Sequence, residues 1–290
     1  MSEESVKDSI FNDFSVRLAI FIGLIIRINE SIVEEVEPDE FHQWYIAISP
    51  SVTSIFSEFI SSSLTPHPSA SFLLMWGWEK LVGDSIFIMR IPSIVFGVLS
   101  ICLCGQLARD LFGRRAGVHA VCISAVLSDF IGISSQARMY SMLVFLALLY
   151  VLLLNRVFFI DTKKSKMDRW YLVFTGIVLS HTHYFGTMLA LGAMAMVLVQ
   201  RRKTIAIEKD VFWIPLLIIA GFLPHVKFMM TDITSGGGGS YIEQYISWDL
   251  FFVLISRQLN GSMIIGFVAI SFVSLIILKY WKDFTEQERF

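Results

Sequence analysis

The sequence predicts an all-α, polytopic membrane protein with about eight transmembrane helices and interfacial helices in its first outer loop. Three observations carry that prediction. The 290-residue chain is 55% hydrophobic and 17% charged, with 25 Phe and a mean hydropathy of +0.65, more apolar surface than one soluble core can bury. Apolar runs approaching the ~20 residues of a membrane span recur along its length. Lys and Arg gather in the intervals between alternate runs, the pattern that orients membrane helices.

Taken in order, the candidate spans are 15–34, 86–108, 116–133, 138–159, 170–184, 185–200, 210–230 and 262–281. The apolar stretch from 170 to 200 is long for one helix and is interrupted by 180-SHTHYFG-186, so it reads as two short spans meeting at a turn. The segment 68-PSASFLLMWGWEKLV-82 is Trp-rich and only about 15 residues long, which suits a helix lying in the interface. With that segment kept out of the bilayer, the stretches 1–17, 106–116, 155–169, 201–210 and 279–290 share one side and hold 17 of the 23 Lys and Arg. Arg27, Lys80, Arg90, Arg138, Lys227 and Arg257 remain scattered singly. The positive-inside rule then places both termini in the cytoplasm of a cell-membrane protein. Residues 1–290 read as a single membrane-embedded domain whose outer loop, 35–85, carries the interfacial helices.

No cleavable leader is evident, because acidic residues precede Ile10 and the first apolar run lacks a small-residue cleavage site. Cys102, Cys104 and Cys122 all lie within apolar runs, where an i, i+2 pair shares no helix face, so packing rather than a disulfide or metal is expected. Asn260-Gly261-Ser262 is a glycosylation sequon near the outer face.

On this topology the polar residues converge on one level. The first outer loop contains no Lys or Arg between 35 and 67 but holds Asp39, Glu40 and His42. At the same level lie His67 between two prolines, 134-SSQARMY-140, 181-HTHYFG-186 with His183 and Tyr184, His225, and the Gly-rich stretch 232–250. Taken singly, each has a structural explanation: solvated acids, turn residues, a helix cap by Ser-Ser-Gln, a snorkelling arginine, aromatic anchoring by Trp44, Tyr45, Trp76 and Trp78. Taken together, they describe a site for moving a group off a lipid phosphate. A carboxylate accepts the proton of an attacking hydroxyl, its basicity raised by desolvation and a like-charged neighbour. Arginine suits the phosphate, being permanently charged and able to bond two oxygens. His67 and the Tyr184 hydroxyl are placed to orient sugar or phosphate, with Gln136 and His183 beside them.

The segments 39-DEFHQWYIA-47, 66-PHPSASFLLMWGWEKLVGDSIFIMRIPSIVFGVLS-100, 105-GQLARDLFGRRAG-117, 134-SSQARMYSMLVFLALL-149 and 182-THYFG-186 resemble, in order and spacing, the membrane glycosyltransferases of the C-type fold. The dolichyl-phosphate-mannose protein mannosyltransferases and the aminoarabinose transferases acting on lipid A are the most similar branches. The resemblance runs over about residues 15–200. It implies a polyprenyl- or dolichyl-phosphate sugar donor, a hydroxyl acceptor on a protein, glycan or lipid, and inversion at the anomeric carbon. It further implies Asp39 as the base with Glu40 beside it, Arg138 at the donor phosphate, and interfacial helices framing the cavity. The chain departs from the pattern at His67-Pro68-Ser69, where relatives read HPPLYY, and at Ser134-Ser135-Gln136-Ala137-Arg138, where they read SQEARMY. Gln136 in place of the acid removes a ligand and argues against a divalent metal; no other cofactor is expected. Relatives are commonly longer, which leaves room for a partner chain. Nothing points to nucleic acid. The alternative, a transporter or flippase for lipid-linked sugars, requires polar residues near the midplane and paired halves; neither pattern is present in the sequence. No HExxH-type spacing suggests a metallohydrolase.

Overall fold

The computed structural model describes residues 9–61, 67–160, 166–201 and 209–234, which are helical with no strand among them. The Gly-rich stretch from 235 on, the candidate span 262–281, the sequon at Asn260 and the basic C-terminal stretch lie outside the described residues. Except for Leu127–Asp129, the described residues belong to one compact unit.

After a single 3-10 turn at Ile10–Asn12, helix α1 spans Phe14–Val33. The predicted outer loop forms three short helices, α2 Pro38–Ala47, α3 Val52–Ser61 and α4 Ala70–Val82. The long helix α5, Ile86–Phe112, is followed by α6, Arg114–Val126, and α7, Ser128–Ser135. Helix α8, Tyr140–Asn155, ends in a π-helical turn at Arg156–Ile160. Then come α9, Lys166–Thr182, α10, Tyr184–Arg201, and α11, Asp210–Thr234.

Among the described residues, three helices are long and apolar enough to cross a membrane, Ile86–Phe112, Tyr140–Phe159 and Asp210–Lys227, or four if the bent pair α6 and α7 acts as one span. The other expected runs within the described residues do form helices but fall short on charge or length. Helix α1 has 20 residues yet carries Arg17, Arg27 and Glu30, while α9 has 17. Large apolar side chains on the outside of the bundle, among them Phe14, Phe21, Phe174, Met188, Leu216 and Leu223, are exposed, a surface that suits lipid and not water. Helix α4 has 13 residues, about 20 Å of helix, too short for a ~30 Å hydrocarbon core, as expected of an interfacial element. The break between α9 and α10 falls at His183, where the sequence placed the turn. The three cysteines are free.

Two apolar centres are the largest among the described residues. One joins α8 to α11 through Leu146, Tyr150, Leu172, Leu179, Met194 and Ile218. The other joins α1, α5 and α6 through Val16, Ile101, Val121 and Ala125. Glycines bring the helices of this second group into close approach, the usual device where lipid supplies no hydrophobic drive between helices. A Cβ at Gly23 would lie 3.2 Å from the Ala125 Cβ.

The run 116–133 is not one straight helix. Helices α6 and α7 meet at 57°, although no Pro or Gly marks the break. Fully buried Arg27 explains it. Its guanidinium donates to the carbonyls of Ala125 at 3.0 Å and Ser124 at 3.2 Å, to Gly23 at 3.0 Å and to the Ser134 hydroxyl at 2.8 Å. The last carbonyls of a helix have no partner within it and carry the negative end of its dipole. Arg27 therefore caps α6 from across the bundle and takes the carbonyls a continuous helix would use. A buried charge is tolerated only where its donors are satisfied. Gly97 supplies the space: a Cβ there would lie 2.7 Å from Ser134 Oγ and 3.0 Å from Arg27 Nε. Gly97→Ala is expected to destabilise by about 1–3 kcal/mol, read as a lower melting temperature in detergent. Gly132→Ala, with nothing within 4 Å of its Cβ, is expected to leave that temperature unchanged.

Candidate functional site

The site forms where the C-terminal end of α1, the helix α2, the start of α5 and the segment before α8 come together. Helix α2 begins in a capping box: the Glu37 side chain takes an N-terminal backbone N–H, the Glu40 side chain accepts from the Glu37 backbone, and Pro38 occupies the first turn. Acids in that first turn also face the positive end of the helix dipole. This local chemistry accounts for two adjacent carboxylates at the loop, and their next contacts separate their roles.

Glu40 is fully buried and is saturated. Arg90 donates to it twice, Nε to Oε1 at 2.9 Å and Nη2 to Oε2 at 2.6 Å, and the Ala137 backbone N–H donates to Oε1 at 2.6 Å. The Glu37 N–H adds a fourth bond to Oε2 at 3.3 Å. Arg90 in turn donates to the carbonyls of Ser31 at 2.8 Å, Glu34 at 3.0 Å and Glu35 at 3.2 Å, the end of α1. One ion pair thus ties α1, α2, α5 and the segment before α8.

Asp39, one residue earlier, points the other way. Its Oδ2 lies 2.7 Å from Arg138 Nη2, with Asp39 62% and Arg138 14% exposed at the side chain. Each acid of the pair therefore meets its own arginine, and the expected mutual repulsion is offset on both sides. Arg138 also lies over the Tyr140 ring, 4.7 Å from its centre, a cation–π contact. Its backbone is held by the Ser93 hydroxyl donating to the Arg138 carbonyl at 3.4 Å. The Ser134-Ser135-Gln136 cap expected for the next helix does not form. Both serines end α7 and donate back into it, Ser135 to Ile131 at 2.8 Å, and α8 starts after Met139 without a side-chain cap bond.

Asp39 and Arg138 border a pocket of about 290 Å³, lined also by His42, Gln43, His67, Phe72 and Met139. The opposite face of α2 borders an apolar groove of about 280 Å³, lined by Val36, Phe41, Trp44, Asp84 and Ile86. The tryptophans do more than anchor. Trp44 donates its indole N–H to the Asp84 carbonyl at 2.9 Å, Trp76 to Ser49 at 3.0 Å and Trp78 to Ile88 at 2.8 Å, stitching the loop helices into the frame of the pocket.

The remaining sequence candidates divide. His67 lines the pocket, and its ring centre lies 5.1 Å from that of His183. Buried His183 accepts the Phe185 N–H on Nδ1 at 3.1 Å and stands behind His67, with the Tyr140 ring at 6.0 Å. Gln136 is not among the lining residues: its Nε2 donates at 2.9 Å to Oε1 of Glu34, the residue that caps the C-terminal end of α1. Tyr184 also lies off the pocket, its ring 6.0 Å from His225, and His181, in the last turn of α9 and not in a loop turn, bonds the Gly221 carbonyl at 3.0 Å. Sequence reading missed Gln43 and the role of Arg90. Gln43 was legible as the residue one helical turn after Asp39, and Arg90 as a lone charge inside an apolar run.

Burial, then the nearby His183 and Arg138, lowers His67 from 6.5 to about 4. His67 is thus neutral at ordinary pH and serves as a hydrogen-bonding group. The unfolded chain takes up its proton below 6.5 while the folded one refuses it until about 4. Stability is full above 6.5 and is lost as pH falls toward 4. Melting temperature is expected to drop between pH 7 and 5, and His67→Gln to make that drop smaller.

Among the described residues, no group of three or more His, Cys, Asp or Glu is arranged to hold a metal ion. Neither the curated proteins nor the solved structures gave a match to this chain. The family profile for dolichyl-phosphate-mannose-protein mannosyltransferase matches residues 66–228. That stretch is more than half of the chain and contains His67, Gln136, Arg138, His183 and Tyr184, while Asp39 and Glu40 precede it. With its helical bundle, lipid-suited exterior and matched core, the chain belongs to the dolichyl-phosphate-mannose-protein mannosyltransferase family of membrane glycosyltransferases.

Proposed function

We propose that this chain transfers a sugar from a polyprenyl- or dolichyl-phosphate donor to an acceptor hydroxyl, on a protein, glycan or lipid, by inverting displacement with Asp39 as the base. The observation that carries this reading is the 2.7 Å contact of Asp39 with Arg138 at the mouth of a pocket: a proton acceptor and a phosphate-binding cation share one cavity. The donor phosphate binds Arg138 and takes the guanidinium away from Asp39, which frees the carboxylate. Asp39 then accepts the proton of the acceptor hydroxyl as its oxygen attacks the anomeric carbon, and the sugar–phosphate bond breaks with its electron pair on the lipid phosphate. Arg138 stabilises that leaving charge. His67, neutral and in the pocket, orients sugar or phosphate with His183 behind it. The apolar groove on the far side of α2 suits the lipid tail of the donor.

In this reading Glu40 positions and takes no proton, since its oxygens are already occupied by Arg90, Ala137 and Glu37. Gln136 and Tyr184 act at one remove from the pocket. The reaction proceeds without a divalent metal, in keeping with Gln136 being engaged by Glu34. The eight-span arrangement, cytoplasmic termini and an outward-facing site, inferred from the distribution of Lys and Arg, complete the proposal.

The test is transfer of mannose from dolichyl-phosphate mannose by purified protein to a hydroxyl acceptor peptide or glycan, with EDTA present. Arg138→Gln is expected to lower kcat/KM about a hundredfold, the scale of losing a charged contact to the leaving group. Undiminished turnover by that variant would remove Arg138 from the donor phosphate.

A further inference from the structure

We infer that Gln43 selects the donor by hydrogen bonding to a hydroxyl of its sugar. The inference rests on the pocket being the donor site. Gln43 is only 2% exposed, its Nε2 has no hydrogen-bond partner, and its side chain lines the pocket that Asp39 and Arg138 border. Buried polar atoms are almost always paired, and one left unpaired in a cavity calls for a partner from outside the chain. A donor atom held in that state binds an acceptor strongly and rejects a ligand that lacks it.

The placement identifies which part of the ligand that acceptor belongs to. Asp39 and Gln43 are four residues apart on α2, so they share one helix face. Inversion requires base and leaving phosphate on opposite sides of the anomeric carbon. The phosphate is held from the segment before α8, by Arg138, so the α2 side of the pocket faces the sugar ring and its hydroxyls. A neutral amide also suits a hydroxyl, which both donates and accepts, whereas the phosphate has a guanidinium beside it. A second orphaned atom, His67 Nδ1, converges on the same pocket. At about 290 Å³ the cavity is at the lower end of small-molecule sites, the scale of one sugar ring and not of an oligosaccharide.

The experiment compares wild type with Gln43→Met, which keeps the length and removes the amide. Dolichyl-phosphate mannose and its 2-, 3-, 4- and 6-deoxy analogues are the donors, and melting temperature is measured without donor. In wild type, deletion of one particular hydroxyl is expected to lower kcat/KM about tenfold to a hundredfold. Gln43→Met is expected to show the same loss with the parent donor and no further loss with that one deoxy analogue, while the other deletions keep their wild-type cost. Its melting temperature is expected to equal or exceed that of wild type, because the amide has no partner to lose. Equal losses for every donor, or a melting temperature several degrees lower, would assign Gln43 to the scaffold and overturn the inference while leaving the transferase reading intact. A wild-type protein that neither binds nor turns over dolichyl-phosphate mannose or any other polyprenyl- or dolichyl-phosphate sugar overturns both.

Discussion

Asp39→Asn is expected to lower kcat by about 10²- to 10⁴-fold, the scale of losing a positioned base, while donor affinity holds or improves. The sign of the second effect is diagnostic. In the resting protein the Asp39 carboxylate competes with phosphate for Arg138 at 2.7 Å, and an amide competes far less. Donor binding without turnover, measured on a non-hydrolysable dolichyl phosphonate, should therefore tighten as catalysis collapses. Stability should change little, because the Asp39 side chain is 62% exposed and ion pairs open to water contribute about 0–1 kcal/mol. A variant that turns over at the wild-type rate would show that the proton goes elsewhere. One that loses donor affinity and activity in equal measure would show that Asp39 binds substrate and does not act as base.

Glu40→Gln, one residue along, is expected to act on the fold. It strands the Arg90 guanidinium, 1% exposed, without its carboxylate, and breaking a buried ion pair costs about 3–5 kcal/mol. Arg90→Met is expected to cost at least as much, since it also abandons the carbonyls of Ser31, Glu34 and Glu35 at the end of α1. The double variant Glu40→Gln/Arg90→Met should recover part of the loss, because no lone charge remains, but not the part that belongs to those carbonyls. Thermal unfolding of the four proteins in detergent measures this coupling. Activity in Glu40→Gln should fall with stability and not independently of it, because the Ala137 N–H bond that Glu40 accepts holds the segment carrying Arg138. Unchanged melting temperatures would refute the structural role assigned to the pair.

These two outcomes differ for adjacent residues of like charge, and that difference shows where sequence reading stops. Composition, the apolar runs and the shortness of the helix over 68–82 were legible because lipid and water sort whole segments by their average polarity. The turn at His183 was legible for the same reason, as a polar interruption in an apolar stretch. The bend between α6 and α7 was not. It follows from Arg27, about a hundred positions away, reaching carbonyls that the local sequence gives no cause to leave open. Gln136 and Tyr184 looked equivalent to His67 by proximity to the motifs, and only packing turned Gln136 to Glu34 and Tyr184 toward His225.

The sequence by itself determined that this is a helical membrane protein with its acids, arginine and histidines gathered at one level, because the cost of polarity in lipid acts residue by residue along the chain. Which of two neighbouring carboxylates faces the pocket, and which is consumed by the scaffold, only the tertiary structure decided. Successive residues of a helix point about 100° apart, so the role of each depends on what other helices bring to its side: Arg138 for Asp39, Arg90 for Glu40.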